Sequence, residues 1–245
     1  MSHTESCMVR QLQHYASFNE REIELLGTLE RSPEEVQGGA TIWQEGEQAS
    51  EMAVISKGWA CSYYTLEDGT RLILDILLPG DIAGLREFAQ SAHQAGVRAV
   101  TDCTICRFPY RHLGEVFDQS GKLTRVIFAA AATQQSIMVE RMINLGRRDA
   151  ATRIAHLLCE MYTRLSRMND NMKPQFRLPL SQEVMADVTG LSTVHVSRTF
   201  THLNSEGLAR RYRHQIDIPD LARLKQFAGF SEGYLGIPSI IDSHR

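Results

Sequence analysis

Leu180-Ser-Gln-Glu-Val-Met-Ala-Asp-Val-Thr-Gly-Leu-Ser-Thr-Val-His-Val-Ser-Arg-Thr-Phe-Thr-His-Leu203 reads as two short helices joined by a tight turn. Ser181 can cap the first helix, with Gln182 and Glu183 in its first turn. Ala186 is small and lets a second helix cross closely. Gly190 stands where the first helix must stop and reverse, and Ser192 can cap the second. Val196, Phe200 and Leu203 then fall at i, i+4 and i+7, one apolar stripe that buries a face. The opposite face carries Thr193, Val194, Ser197, Arg198 and Thr201, all short except the arginine. A helix with one buried side and small groups plus an arginine on the other suits a DNA major groove.

The charge distribution agrees with that placement. The whole chain of 245 residues has a formal net charge of −3, but the charge is divided unevenly. Residues 1–146 hold 12 Lys and Arg against 19 Asp and Glu, whereas residues 147–230 hold 13 against 8. The basic part contains the two-helix stretch and is the part able to meet phosphate. Hydrophobic content of 43% and charged content of 22% are ordinary for a globular protein. No apolar run approaches the roughly 18 residues of a membrane span, so no membrane partner is expected. The first residues, Met-Ser-His-Thr-Glu-Ser-Cys7, lack the basic and apolar regions of a signal peptide. Five cysteines without a framework pattern suit a reducing compartment. These features predict a cytoplasmic protein. No nucleophile–base motif, zinc spacing or phosphate loop is present, and an enzyme is not expected.

Outward from the two helices, the chain changes texture several times. Residues about 17–35 look helical, with Pro33 near the end. Gly46, Gly58, Gly69 and Gly80 then recur at spacings of 12, 11 and 11. Between them lie strand-like runs at 52–56, 60–65 and 71–78, and a further strand pair spans about Val97–Pro109. Glu67-Asp-Gly-Thr70 is a hairpin turn, because Asp-Gly accepts the positive φ that tight hairpins need. This spacing indicates a small antiparallel barrel or roll. A roll filled only by its own side chains is one reading of it. From Lys122 to Leu145 a mostly apolar stripe predicts a helix of about 24 residues, roughly 36 Å long. Pairing with a second copy would cover that stripe, as would packing on the roll. Gly146 is a candidate stop or hinge, and another helix runs about Arg148–Leu165. Ser166–Lys173 reads as a loop. After the two-helix unit, Leu208–Ile218 alternates enough for a hairpin decorated by Arg210, Arg211, Arg213 and His214. Residues 231–245 read as a poorly ordered tail.

Two sets of residues make this order of parts familiar. One is Gly46-Glu47, Gly58, Asp68-Gly69 and Leu78-Pro-Gly-Asp-Ile82. The other is Asp187, Gly190-Leu-Ser192, Val196-Ser-Arg-Thr199, Leu203 and Glu206-Gly-Leu208. Over about residues 20–230 the chain resembles the cyclic-AMP receptor protein/FNR superfamily of bacterial transcription regulators. The resemblance implies an α+β fold with a cupin-like, cyclic-nucleotide-binding-like antiparallel β-roll at residues 1–120. A dimerisation helix at 121–146 and a winged helix-turn-helix at 147–230 follow, then the tail at 231–245. It implies a homodimer on palindromic double-stranded DNA, and RNA polymerase as a partner. Arg198 matches the family's guanine-contacting arginine, and a guanidinium can pair twice with guanine, for about 1–3 kcal/mol of discrimination. Ser197 matches a serine of FNR-like members. Val194 departs from the family's frequent glutamate, the acceptor for cytosine. Thr193, His195 and Thr201 are candidate positioning contacts to phosphate, Ser181, Gln182 and Ser192 are further candidate DNA contacts, and Arg211 and Arg213 are candidate wing contacts. Asp149 matches a family hinge residue and joins Gly146 as a candidate hinge.

On the sensor side the resemblance marks a candidate effector pocket at Gly84, Leu85, Arg86, His93, Gln94 and Met138. There the residues depart from the family pattern. Gly84 is followed by Leu85 rather than glutamate, and the phosphate-holding Arg-Ser pair aligns near His93-Gln94. The two adenine-contacting hydroxyl positions of the long helix align with Met138 and Val139. Cyclic AMP is therefore disfavoured. Cys106 sits where FNR places its fourth cluster ligand, but only Cys7 stands near the others, and an iron–sulfur cluster usually needs four thiolates. The axial histidine position of the haem-binding member aligns near Arg86. No cofactor is predicted, and the effector is left unknown or absent. Cys103 and Cys106 form a Cys-x-x-Cys spacing, but in a strand the two lie on opposite faces. Cys159, beside Leu157 and Leu158, reads as core. The alternative function is a cyclic-nucleotide-binding regulatory module without direct DNA reading. That module would not need the Arg198 helix or the wing.

Overall fold

The computed structural model describes residues 6–169 and 171–243, and it separates into two compact units. The first comprises the chain to Tyr64, Asp75–Gln135 and the chain from Gly236. The second comprises Thr65–Leu74 and Ser136–Leu235.

The first unit opens with α1 (Cys7–Leu12) and α2 (Glu20–Gly27). α2 is started by a capping box: the Asn19 side chain accepts from the Glu22 N–H, and Glu22 accepts from the Asn19 N–H, both at 2.9 Å. The helix expected to reach about residue 35 ends at Gly27, followed by one 3-10 turn, Thr28–Glu30. Pro33 instead begins β1 (Pro33–Val36). Its missing N–H and its bias on the preceding residue explain why the helix cannot run into it. β2 (Thr41–Trp43), β3 (Glu51–Lys57), β4 (Ala60–Thr65), β5 (Arg71–Leu77), β6 (Ile82–Ala83), β7 (Gly96–Ala99) and β8 (Cys103–Pro109) follow. They form two four-stranded sheets, in the orders β1-β8-β3-β6 and β2-β7-β4-β5.

β3 and β8 are buried on both faces. Ala53, Ile55, Cys103 and Ile105 join Ile42, Trp43 and Val97 in one core. Met52, Val54, Cys106 and Phe108 join Leu26, Leu113 and Leu123 in another. Period-two alternation thus sends Cys103 and Cys106 to opposite cores, where both are free thiols and burial pushes both pKa values up. The glycine spacing has a steric cause at Gly58: its φ is +81°, and a Cβ there would lie 2.2 Å from the Asp102 carbonyl.

α3 (Tyr110–Gln119) leads into α4 (Gly121–Arg147). α4 runs through Gly146, so that glycine does not stop the helix. Phe128, Ala132, Gln135, Val139 and Met142 are exposed at alternating spacings of four and three. Phe128 and Met142 are 75% and 64% exposed, a seam of the kind a parallel helix pair covers.

In the second unit α5 (Ala150–Ser166) is capped by Asp149, whose carboxylate accepts from the Thr152 N–H at 2.8 Å. β9 (Gln175–Arg177), α6 (Gln182–Thr189), α7 (Thr193–Ser205), β10 (Arg210–Tyr212), β11 (Gln215–Asp217) and α8 (Leu221–Ala228) complete it. The hairpin β10–β11 gains β9 as a third strand, in the order β10-β11-β9, which the sequence reading did not include.

The tail expected to be poorly ordered is built into the fold over its described residues. Glu232–Leu235 form a 3-10 turn in the second unit, where Leu235 is fully buried. From Gly236 the chain belongs to the first unit and ends in α9 (Ile240–Ser243). The Ser239 N–H donates to the His14 carbonyl at 2.7 Å and the Ile241 N–H to the Tyr15 carbonyl at 3.1 Å. Ile240 and Ile241 pack on the core of Leu12, Tyr15 and Leu26. Partial burial of two isoleucines and pairing of main-chain groups order a segment whose sequence has no periodicity.

Candidate nucleic-acid interface

The two-helix stretch folds as its local chemistry dictates. The Ser181 hydroxyl accepts from the Val184 N–H at 3.1 Å, which starts α6. Gly190 ends it at φ +62°, in the left-handed region. The Ser192 hydroxyl accepts from the His195 N–H at 3.2 Å and holds the His195 ring Nδ1 at 3.1 Å. Val196, Phe200 and Leu203 are buried. Thr193, Val194, Ser197, Arg198 and Thr201 are exposed together on the opposite face. Among the described residues the Arg198 guanidinium makes no hydrogen bond or ion pair, so all its donors are available. Gln182 is exposed in the first turn of α6.

A groove of about 740 Å³ runs along this face. It brings together Ser181, Gln182, Ser197 and Thr201 with Arg213 of the wing. It also includes Arg210, Arg211 and His214, which the sequence places on the hairpin, and Asn204, which the sequence reading did not single out. Asn204 was legible as the next exposed step after Ser197 and Thr201. Arg211 differs from its neighbours: it is half-buried and its guanidinium points at protein carbonyls.

Only Arg148 and Asp149 separate α4 from α5. The Thr152 N–H holds the Asp149 carboxyl below its ordinary pKa. Around this break lies a buried polar network that the sequence did not reveal. Glu140 stands 2.6 Å from Arg148 and 3.1 Å from Nε2 of His156. Asn144 meets His156 Nδ1 at 3.2 Å. Arg141 donates to Glu160 at 3.1 Å, and the Tyr234 hydroxyl donates to the same carboxylate at 3.3 Å. Burial lowers His156 to a pKa of about 4 and raises that of Tyr234. Arg153 donates to the carbonyls of Leu145 and Arg148, each at 2.8 Å, and to that of Thr189 at 3.1 Å. One side chain thus joins the end of the long helix to the end of α6.

The candidate effector residues have different surroundings. Gly84 and Arg86 line a cavity of about 10 Å³ with Ser62, Asp75, Glu87 and Gln134, roughly the room for one water. Leu85 is buried in the helical core. His93 is buried, with Nδ1 2.6 Å from Glu87 and its ring stacked on Trp43 at 4.4 Å. Gln94 is exposed and donates to the Ala92 carbonyl. Met138 belongs to the second unit. Gly84 and Arg86 thus stand together at one cavity, His93 pairs with Glu87 of its lining, and Gln94 turns to solvent.

An exposed arginine on a capped second helix, flanked by a three-stranded basic hairpin, defines a winged helix-turn-helix protein. Residues 33–120 match the cyclic nucleotide-binding domain, and residues 152–227 match the Crp-like helix-turn-helix domain. The transcriptional activator protein FnrL of Cereibacter sphaeroides is 30% identical over 224 residues, 89% of this chain and 90% of FnrL. The nitrogen fixation regulation protein FixK of Bradyrhizobium diazoefficiens is 30% identical over 190 residues, 78% of this chain and 79% of FixK. The solved structure of FixK2 from Bradyrhizobium japonicum superposes with a TM-score of 0.73 at 26% identity, over 82% of this chain and 98% of that one. The chain belongs to the CRP/FNR family and is a DNA-binding transcription regulator. The helix-turn-helix match does not favour a regulatory module without DNA reading. No described helix is long and apolar enough to cross a membrane.

Proposed function

We propose that two copies of this chain pair along the exposed seam of α4 and read a palindromic operator in the cytoplasm. Each recognition helix enters one of two major grooves about 34 Å apart. Arg198 reads a guanine, Ser197 and Thr201 face the groove, and Arg210 and Arg213 of the wing meet backbone phosphate. The free, exposed Arg198 guanidinium beside a basic groove is the observation that carries this reading. The dimer acts by binding, without catalysis, and contacts RNA polymerase at the promoter.

The roll, in this reading, needs no cyclic nucleotide, cluster or haem for DNA binding. A cavity with room for about one water, lined by Asp75 and Glu87 as well as Arg86, is too small to fit a nucleotide phosphodiester. Among the described residues no three His, Cys, Asp or Glu side chains are grouped as metal ligands, which does not fit a four-thiolate cluster.

Selection of bound duplexes from random DNA, with protein purified free of small molecules, tests both parts. The expected result is a two-fold symmetric site bound with steep salt dependence. Arg198→Ala should weaken that site by about 1–3 kcal/mol per half-site and relax preference at one guanine. Unchanged selectivity in Arg198→Ala overturns the reading of Arg198. A requirement for added cyclic nucleotide overturns the ligand-free part alone.

A further inference from the structure

Arg210, Arg211 and Arg213 lie together on the wing, and charge alone would give all three one task. The structure separates them. All three line the groove, but Arg210 is exposed and, among the described residues, its side chain makes no bond to the protein that would hold it there. Arg213 is exposed, with its guanidinium 5.6 Å from the Tyr212 ring. Arg211 instead donates from Nε to the Arg213 carbonyl at 3.0 Å and from Nη2 to the Leu180 carbonyl at 2.9 Å. Its Cζ lies 5.2 Å from the Phe200 ring. The three partners belong to three parts of the reading head: the wing turn, the residue before the α6 cap, and the buried side of α7. A planar guanidinium can stack on a ring while two of its edges donate to carbonyls, and a lysine ammonium cannot.

The turn that Arg211 grips has an unusual backbone. Arg213 stands at φ +53°, where side-chain-bearing residues are uncommon. The type I′ and II′ turns favoured in two-residue hairpins take that sign at their first position. Such conformations persist where their surroundings over-determine them. Here the carbonyl of Arg213 is held by Arg211, and that of His214 accepts from the Leu178 N–H at 2.7 Å. Both turn carbonyls are thus anchored, one of them through a side chain that also touches the recognition helix.

We propose that Arg211 is a positioning residue that locks the wing to the recognition helix, setting the spacing at which Arg213 and Arg198 meet DNA, and that it makes no phosphate contact itself. This rests on the DNA-reading assignment above. The spacing between the wing-contacted phosphate and the Arg198 guanine then becomes part of the operator specificity.

The test is a double-mutant cycle on the full-length protein with a duplex carrying the selected site, measured across a salt series. Arg213→Ala should lower the salt slope by about 0.9 for each phosphate that the wing no longer neutralises. Arg211→Met should weaken binding about tenfold, and adding Arg213→Ala should cost nothing more, because the wing has already left the backbone. Arg211→Lys should weaken binding as much as Arg211→Met, although the charge is kept. Hydroxyl-radical footprints of both variants should lose protection at the wing-facing sugars and keep the guanine preference set by Arg198. Wild-type binding by Arg211→Lys, or additive losses in the double variant, overturns the proposal. Arg211→Lys carries the test by itself where Arg211→Met does not fold. If Arg198→Ala has no effect on the same duplex, the DNA-reading assignment falls instead, and the two failures are distinguishable.

Discussion

The Glu160 carboxylate and the Arg141 guanidinium meet at 3.1 Å with side-chain exposures of 1% and 5%. They join the C-terminal part of α4 to α5 across the two-residue break at Arg148 and Asp149. Arg164 and the Tyr234 hydroxyl share the same carboxylate. A buried pair of this kind says little about net stability, but removal of Glu160 takes the carboxylate partner from the buried Arg141 guanidinium. Glu160→Gln should destabilise the second unit by ~3–5 kcal/mol, and Arg141→Met, which leaves Arg164 and Tyr234 on the carboxylate, by less. Urea unfolding followed by circular dichroism checks this. A loss below ~1 kcal/mol for both variants would show that water reaches the pair.

His156 makes stability depend on pH. In the unfolded chain it takes a proton near pH 6.5, and in the fold only near about 4. Between these values the unfolded chain binds more protons, so stability falls as pH falls from about 6.5 to about 4. The contribution is up to ~1.4 kcal/mol per pH unit and is complete above the unfolded pKa. Unfolding free energies at pH 7, 6 and 5 should fall more steeply for the wild type than for His156→Gln. Parallel pH curves for the two proteins would falsify the assignment of this slope to His156.

Val194 is 56% exposed on the same side of α7 as Arg198, and its side chain has no hydrogen-bonding group. Val194→Glu adds an acceptor for a cytosine amino group. The selected half-site should shift toward one with cytosine at the facing position, by about 1–3 kcal/mol of discrimination. Sequencing of selected duplexes reads the shift, and an unaltered preferred site would mean that residue 194 stands away from the bases.

The segment from Gly236 is expected to stabilise the first unit. Ending the chain at Gly236 removes the packing of Ile240 and Ile241 and the main-chain bonds to His14 and Tyr15. It also removes the Asp242 carboxylate that accepts from the Ser17 N–H at 2.9 Å. The loss should be about 2–4 kcal/mol, seen as a fall of roughly 5–10 °C in the thermal midpoint. An unchanged midpoint would return these residues to the status of a passive tail.

Much of the reading head was legible because its signals are local. Ser181, Gly190 and Ser192 act over three or four residues, through caps and one left-handed turn. The apolar stripe at Val196, Phe200 and Leu203 repeats within a single helix. The same held for the Asp-Gly hairpin at 68–69 and for the alternation that parts Cys103 from Cys106. Helix ends were less legible where a proline had two readings, since Pro33 closes a helix as readily as it opens a strand.

The sequence by itself determined the class of this protein: a glycine-punctuated roll, a long helix with an apolar stripe, and a winged helix-turn-helix that presents Arg198. These follow from backbone preferences and from periodic burial, which neighbouring residues impose on one another. Only the tertiary structure decided which charges are free to act. It turned Arg211 inward onto Leu180, 31 residues away, and left Arg210 and Arg213 outside. It closed the roll cavity around Asp75, Arg86 and Glu87, and tied Ser17 to Asp242 across 225 residues. A hydrogen bond needs its donor and acceptor within about 3 Å, and for residues far apart in sequence the folded chain alone provides that proximity.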